Sequence, residues 1–368
     1  MSFMSLINQD SNIFIHSLAL MKKNGYPIVL TGAGCLAQMT LDFMDREALN
    51  VNHIAVNDAW LTTETRLNGR QVESLESLAS LPTPHNYIVA LQYVTPELRA
   101  LLAKNGAEVL IFDPSFIGVN TCDYLTYEYV DKHQHAFASL YEQLGDDRSR
   151  QTLIAFLNQR ISARHGAYAD VFEPIHYFPA DLITFKENEI FIDCGAYNGD
   201  SIAAFLKALR SQGISQAAGI IAFEPDEKNY QALVKNTASV PNCRNVKKGV
   251  WSSDTTLYFS SGLALSSKLS EQVTEESIEL AALDSIVKDE KVTFIKMDVE
   301  GAELEALKGA SHILQNHRPV LAISVYHKPD DLLAIPAYIQ SVNENYRFYL
   351  RAHHPLHAFE LVLYALPA

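Results

Sequence analysis

Ile190-Phe191-Ile192-Asp193-Cys194-Gly195-Ala196-Tyr197-Asn198-Gly199-Asp200 is the stretch that decides the fold. The first residues read as a short buried strand. The glycines that follow read as a tight turn, and the residues from Asp200 onward have a helical pattern. A strand, a glycine turn and a helix in that order open a doubly wound α/β sheet. The turn removes side chains where a ligand must approach backbone, and the helix start presents free N–H groups.

Downstream, the apolar runs Gly219–Phe223, Val246–Val250, Thr293–Met297 and Val320–Val325 read as further strands separated by helical segments. Two more, Tyr346–Leu350 and Glu360–Ala365, lie close enough in sequence to pair antiparallel. The expectation is five parallel-type strands plus a terminal antiparallel pair.

Upstream, the same pattern occurs in smaller form. Tyr26-Pro27-Ile28-Val29-Leu30 runs into Gly32-Ala33-Gly34-Cys35-Leu36-Ala37, and strands near 54–56, 87–91 and 108–112 follow. The expected organisation is a Rossmann-like domain over 1–120, a helical connector over 121–186 and a larger α/β domain over 187–368. Leu6–Lys23 reads as an amphipathic helix leading into the first domain.

Composition narrows the function classes. A length of 368 residues is comfortable for two domains, and 48% hydrophobic with 20% charged residues argues against disorder. The net charge of −14, with no Lys/Arg run, argues against nucleic acid and anionic membranes as partners. Cys35, Cys122, Cys194 and Cys243 form no C-x-x-C pair, so neither a cysteine zinc site nor a disulfide framework is expected. No apolar run approaches a membrane span and no signal peptide is visible, which gives the expectation of a cytoplasmic protein.

Strand carboxyl ends face the ligand crevice in such sheets. Glu224, ending the second strand of the larger domain, is placed to accept hydrogen bonds from the hydroxyls of a ribose. Asp298 and Glu300 end the fourth strand and His327 the fifth, so these three are the candidates for acid–base work on a substrate. Glu303 reads equally as a helix-start acid, and Glu305 pairs with Lys308 one turn away. His353 and His354 are further candidates for the acceptor side. The carboxylates could also ligate Mg²⁺, although nothing in the spacing demands a metal.

These stretches together resemble the FkbM-type methyltransferases, class I enzymes that use S-adenosylmethionine and usually methylate hydroxyls. The matching segments are D-C-G-A-Y-N-G-D-S from Asp193, A-F-E-P-D from Ala222, K-G-V-W from Lys248, L-D-S-I-V from Leu283 and F-I-K-M-D-V-E-G-A-E from Phe294. R-P-V-L-A-I from Arg318, Y-H-K-P-D-D-L from Tyr326 and F-Y-L-R from Phe348 also fit. They keep the family's order and cover roughly half the chain. The resemblance implies that Asp193, Gly195, Asn198 and Gly199 line the methionine and ribose part of the cofactor and that Glu224 holds the ribose. It places Ser266 and Ser267 in a small-residue loop near the active site. The acceptor it implies is a hydroxyl on a sugar, a glycan or another small molecule.

In the first domain, Gly32, Gly34 and Ala37 satisfy G-x-G-x-x-A, and Asp58 follows the next strand. This unit resembles the small domain preceding some sugar acyltransferases, which implies a nucleotide-sugar ligand. A nicotinamide site and a scaffold that only supports a homo-oligomer are the other readings of it. For the whole chain the rival reading is a non-catalytic nucleotide- or glycan-binding protein built from two Rossmann-like domains. Transfer of label from the cofactor to any acceptor distinguishes the two.

Overall fold

The structure is a computed structural model that describes residues 2–117, 124–259, 276–287 and 290–368. Its first sheet holds β1 (Ile28–Thr31), β2 (His53–Val56), β3 (Glu73–Ser74), β4 (His85–Val89) and β5 (Gly106–Ile111). All are parallel, in the order β3-β2-β1-β4-β5.

The second sheet holds β6 (Ile190–Cys194), β7 (Gly219–Phe223), β8 (Cys243–Val246), β9 (Phe294–Met297), β10 (Val320–Ser324), β11 (Tyr346–Ala352) and β12 (Leu361–Pro367). Its order is β8-β7-β6-β9-β10-β12-β11, with β12 antiparallel to both neighbours. This is the arrangement of five parallel strands plus a terminal antiparallel pair expected from the sequence. β6 opens on the apolar run Ile190–Ile192 because both of its faces are covered. Phe191 packs with Phe178, Phe205 and Phe294 on one face. Ile192 joins the larger core on the other.

Several elements differ from the sequence reading. The run Val246–Val250 is split: β8 ends at Val246, and Gly249–Val250 joins a separate three-stranded sheet with Thr255–Phe259 and Glu276–Ala281. Leu6–Lys23 is not one helix. A 3-10 turn at Phe3–Leu6 is followed by a helix Ile13–Asn24, started by Asn12, whose side chain accepts the Phe14 and Ile15 amides, and ended by the left-handed Gly25.

The connector is helical at Tyr127–Lys132, Gln134–Gln143 and Asp147–Ser162, but from Ala163 to Glu189 only the Ala169–Val171 turn is helical. Helix Asp147–Ser162 packs on β11. Arg351 on that strand, 1% exposed, reaches Asp146 at 2.7 Å and Asp181 at 2.8 Å, tying the start of that helix and the segment before β6 to the sheet. Phe3 and Ile7 pack into the larger core with the connector, while Ala163 belongs to the core of the first domain. No helix among the described residues is long and apolar enough to cross a membrane.

Candidate active site

A cavity of about 890 Å³ opens along the carboxyl ends of β6, β7 and β9. The three-stranded sheet walls one side with Val250, Leu257, Ile278 and Leu280. The size is that of a ligand pocket able to take a nucleoside with room beside it.

Two loops meet here because β6 and β9 are neighbours, with Asp193 opposite Lys296 and Cys194 opposite Met297. Gly195 has φ +77°, and a Cβ on it would lie 1.9 Å from the Asp298 carbonyl oxygen. Only glycine lets the two strand ends approach so closely. Gly195→Ala is expected to cost about 2 kcal/mol of stability, the scale of a strained left-handed residue, and to lower Tm by several degrees. An unchanged Tm would show that the loop relaxes freely.

The cavity is lined by Gly195 and Glu224 but not by Asp193, Asn198 or Gly199. Glu224 is 5% exposed. Its two oxygens accept the Tyr197 amide at 2.8 Å and the Asp226 amide at 3.0 Å, which aims the carboxylate at the cavity. Burial raises its pKa above the usual range. Asp193 lies one layer deeper, fully buried, bonded to Ser201 and 3.2 Å from the Lys296 ammonium. Lys296 in turn donates to the Gly195 carbonyl at 2.7 Å, so this buried pair fixes the glycine turn from beneath. Gly199 begins the helix Asp200–Ser211, and a Cβ on it would lie 3.2 Å from Leu233 and 3.3 Å from Thr237, while Asn198 accepts from the Asp200 amide and bonds Asn236 through its carbonyl.

Asp298 lines the cavity and accepts the Tyr177 hydroxyl at 2.8 Å. Burial pushes its pKa up, but the charges of His327 and Lys296 and the Tyr177 hydroxyl outweigh burial and hold it below the usual range. Glu300 also lines the cavity, with its pKa raised by burial.

His327 requires a correction. It is 1% exposed and sits behind the lining, within 3.0 Å of Glu303, 3.4 Å of Asp298 and 3.7 Å of Glu300. Burial opposes its charge, yet the three carboxylates, Glu303 first, push its pKa to about 10. These carboxylates favour the protonated ring, and the buried side chain does not line the cavity. The ligand atoms of Asp298, Glu303 and His327 gather within 4.8 Å of one another. Glu303 also closes the Asp298–Gly301 turn by accepting the Val299 amide at 2.9 Å. Glu305 and Lys308 pair at 2.5 Å on the surface, as their spacing predicts.

His353 and His354 do not line the cavity. His353 bonds the Glu173 carbonyl and the Tyr364 hydroxyl, and His354 faces Gln92 of the first domain. Ser266 and Ser267 lie outside the described residues.

Sequence reasoning missed Tyr177, Tyr326 and Glu360, all of which line the cavity. Glu360 lies 3.5 Å from His176, and burial together with the Asp298 charge raises its pKa to about 7. Tyr177, Tyr197, Glu300 and Glu360 all have positive φ, at 61°, 48°, 56° and 53°. Left-handed backbone in non-glycine residues is costly, and here four such residues border one cavity.

In the first domain, Gly32 has φ +125°, and a Cβ there would meet the Ala90 carbonyl oxygen at 2.7 Å. Close packing on the loop after β4 thus accounts for this glycine. Asp58 is exposed in a short turn after β2.

Comparison with known proteins fits this geometry. Residues 193–348 match the family described as "Methyltransferase FkbM domain". The crystal structure of Methyltransferase FkbM from Methylobacillus flagellatus KT is similar to this chain with a TM-score of 0.77 at 23% identity, covering 99% of this chain and 98% of that one. That likeness is one of fold and spans both of the larger sheets. An rRNA methylase from Streptococcus thermophilus overlaps with a TM-score of 0.31 at 15% identity, over 54% of this chain and 91% of its own. No curated protein sequence matches. Residues 193–348 are a methyltransferase domain of the FkbM family, carried on a class I Rossmann-like sheet.

Proposed function

We propose that the cavity binds S-adenosylmethionine and transfers its methyl group to a hydroxyl of a sugar or another small-molecule acceptor. The observation that carries this reading is Glu224, a buried carboxylate at the end of the second strand, aimed into the cavity by two backbone amides. Each oxygen keeps a lone pair for a ribose hydroxyl.

In the proposed reaction the acceptor oxygen attacks the methyl carbon. The carbon–sulfur bond breaks, its electron pair goes to sulfur, and the hydroxyl proton goes to Glu360. The roles of the two carboxylates follow from their environments. Asp298, held ionised, is a weak base and instead offers negative charge near the sulfonium. Glu360, with a pKa of about 7, is matched to proton transfer near neutrality. Most of the rate comes from aligning sulfur, methyl and oxygen in a site that excludes water.

Calorimetry with S-adenosylhomocysteine tests the cofactor assignment. Glu224→Ala is expected to weaken binding by roughly 2–4 kcal/mol, the scale for losing a charged hydrogen-bond partner in a buried site. Circular dichroism of the variant should match the wild type. Equal affinity in the two proteins would remove Glu224 from the ribose role. Label from methyl-labelled cofactor appearing on a hydroxyl compound tests the acceptor class, and label on nitrogen acceptors alone would contradict it.

A further inference from the structure

Away from the cavity, three metal-ligating side chains converge where the two domains meet. Asp113 follows β5 of the first sheet, His165 follows the helix Asp147–Ser162, and His357 lies in the loop between β11 and β12. Asp113 is fully buried and His357 is 1% exposed, while His165 is at the surface. His357 Nδ1 lies 3.1 Å from Asp113 Oδ1 and 3.3 Å from His165 Nε2. His357 Nε2 is buried and meets no hydrogen-bond partner among the described residues, so every polar contact of the ring is made at Nδ1. One ring proton at Nδ1 would have to serve both neighbours.

The spacing fits an ion. In a tetrahedral zinc site with bonds of 2.0–2.1 Å, adjacent ligand atoms lie about 3.3 Å apart. The two contacts to His357 match that edge, and all three ligand atoms fall within 4.8 Å of one another. Outer groups brace the ligands as metal-binding carboxylates are commonly braced. Asp113 accepts the Ser115 amide at 2.9 Å, the Ala358 amide at 2.8 Å and the Gln159 side chain at 2.6 Å. His354 accepts the His357 amide at 2.8 Å and so holds the loop. Exposure of His165 leaves a path for entry and a fourth position for water.

We infer that Asp113, His165 and His357 form a site for a divalent transition-metal ion, with zinc the ion whose geometry and preference for imidazole and carboxylate fit best. The ion would fasten the first domain, the connector and the β11–β12 loop at one point. Glu360 lies three residues beyond His357 in that loop. The site stands independently of the proposed methyl transfer.

Elemental analysis of the tag-free, full-length protein after incubation with Zn²⁺ and dialysis tests it. About one zinc per chain is expected in the wild type, with binding at least ~10-fold weaker in His165→Ala. His165 is exposed, so the variant should keep the wild-type circular dichroism. Zinc should raise the Tm of the wild type and leave that of His165→Ala unchanged. Asp298→Asn should keep its zinc. Failure of the wild type to retain zinc would overturn the inference, as would equal zinc in wild type and His165→Ala. Loss of zinc in Asp298→Asn would move the ion to the cavity carboxylates and overturn it too.

Discussion

Glu360→Gln is expected to lower methyl transfer 10²–10⁴-fold, the usual cost of losing a general base, while S-adenosylhomocysteine binds with nearly wild-type affinity. The substitution keeps the shape and removes the proton acceptor. The wild-type rate should rise with pH through about 7 and level off above it, because Glu360 accepts a proton only once it has lost its own. That value comes from burial, with Asp298 and Glu300 raising it and His327 and Lys296 opposing. His176 lies 3.5 Å away, and the cavity-lining Tyr177 and Tyr326 and the buried Tyr168 also feel the Glu360 charge. Glu360→Gln should lose this pH limb. If the variant keeps both the rate and the limb, the proton leaves by another route.

His327→Gln is expected to destabilise the fold by about 3–5 kcal/mol at pH 7, the cost of removing one partner from a buried ion cluster. Glu303, Asp298 and Glu300 would then face one another without the imidazolium between them. The pH dependence has a fixed sign. The folded-state pKa of about 10 lies above the ordinary value of 6.5. The stabilisation is therefore fully present below about pH 6.5 and disappears as pH rises through about 10. Thermal melts should show a large Tm gap between wild type and variant at pH 6–7 that shrinks towards pH 10. A gap that stays constant over this range would mean that His327 is neutral in the folded protein.

The elements legible in the sequence are those set by local chemistry. β6 was visible because a strand covered on both faces begins with the apolar run Ile190–Ile192, and the turn after it because Gly195 has no room for a side chain. Glu224 was visible because a strand end fixes its position. Lys296 carried a usable signal, a lysine inside the apolar Phe294–Met297 strand, whose buried charge needs the Asp193 partner. Tyr177 and Glu360 carried none. They reach the cavity only because β12 inserts between β10 and β11 and the connector folds back over the sheet. His327 was visible as a strand-end residue, but its burial behind the lining among Glu303, Asp298 and Glu300 arises from tertiary packing. His353 and His354 were misread for the same reason, because the loop after β11 turns them towards Glu173 and Gln92.

The most direct measurement of the central claim is a crystal structure of the protein with S-adenosylhomocysteine. The account predicts the ligand in the cavity beside Gly195, with both ribose hydroxyls on the Glu224 carboxylate and the sulfur facing the space between Asp298 and Glu360. The ligand bound in the first domain near Gly32, or in this cavity with its ribose away from Glu224, would contradict it.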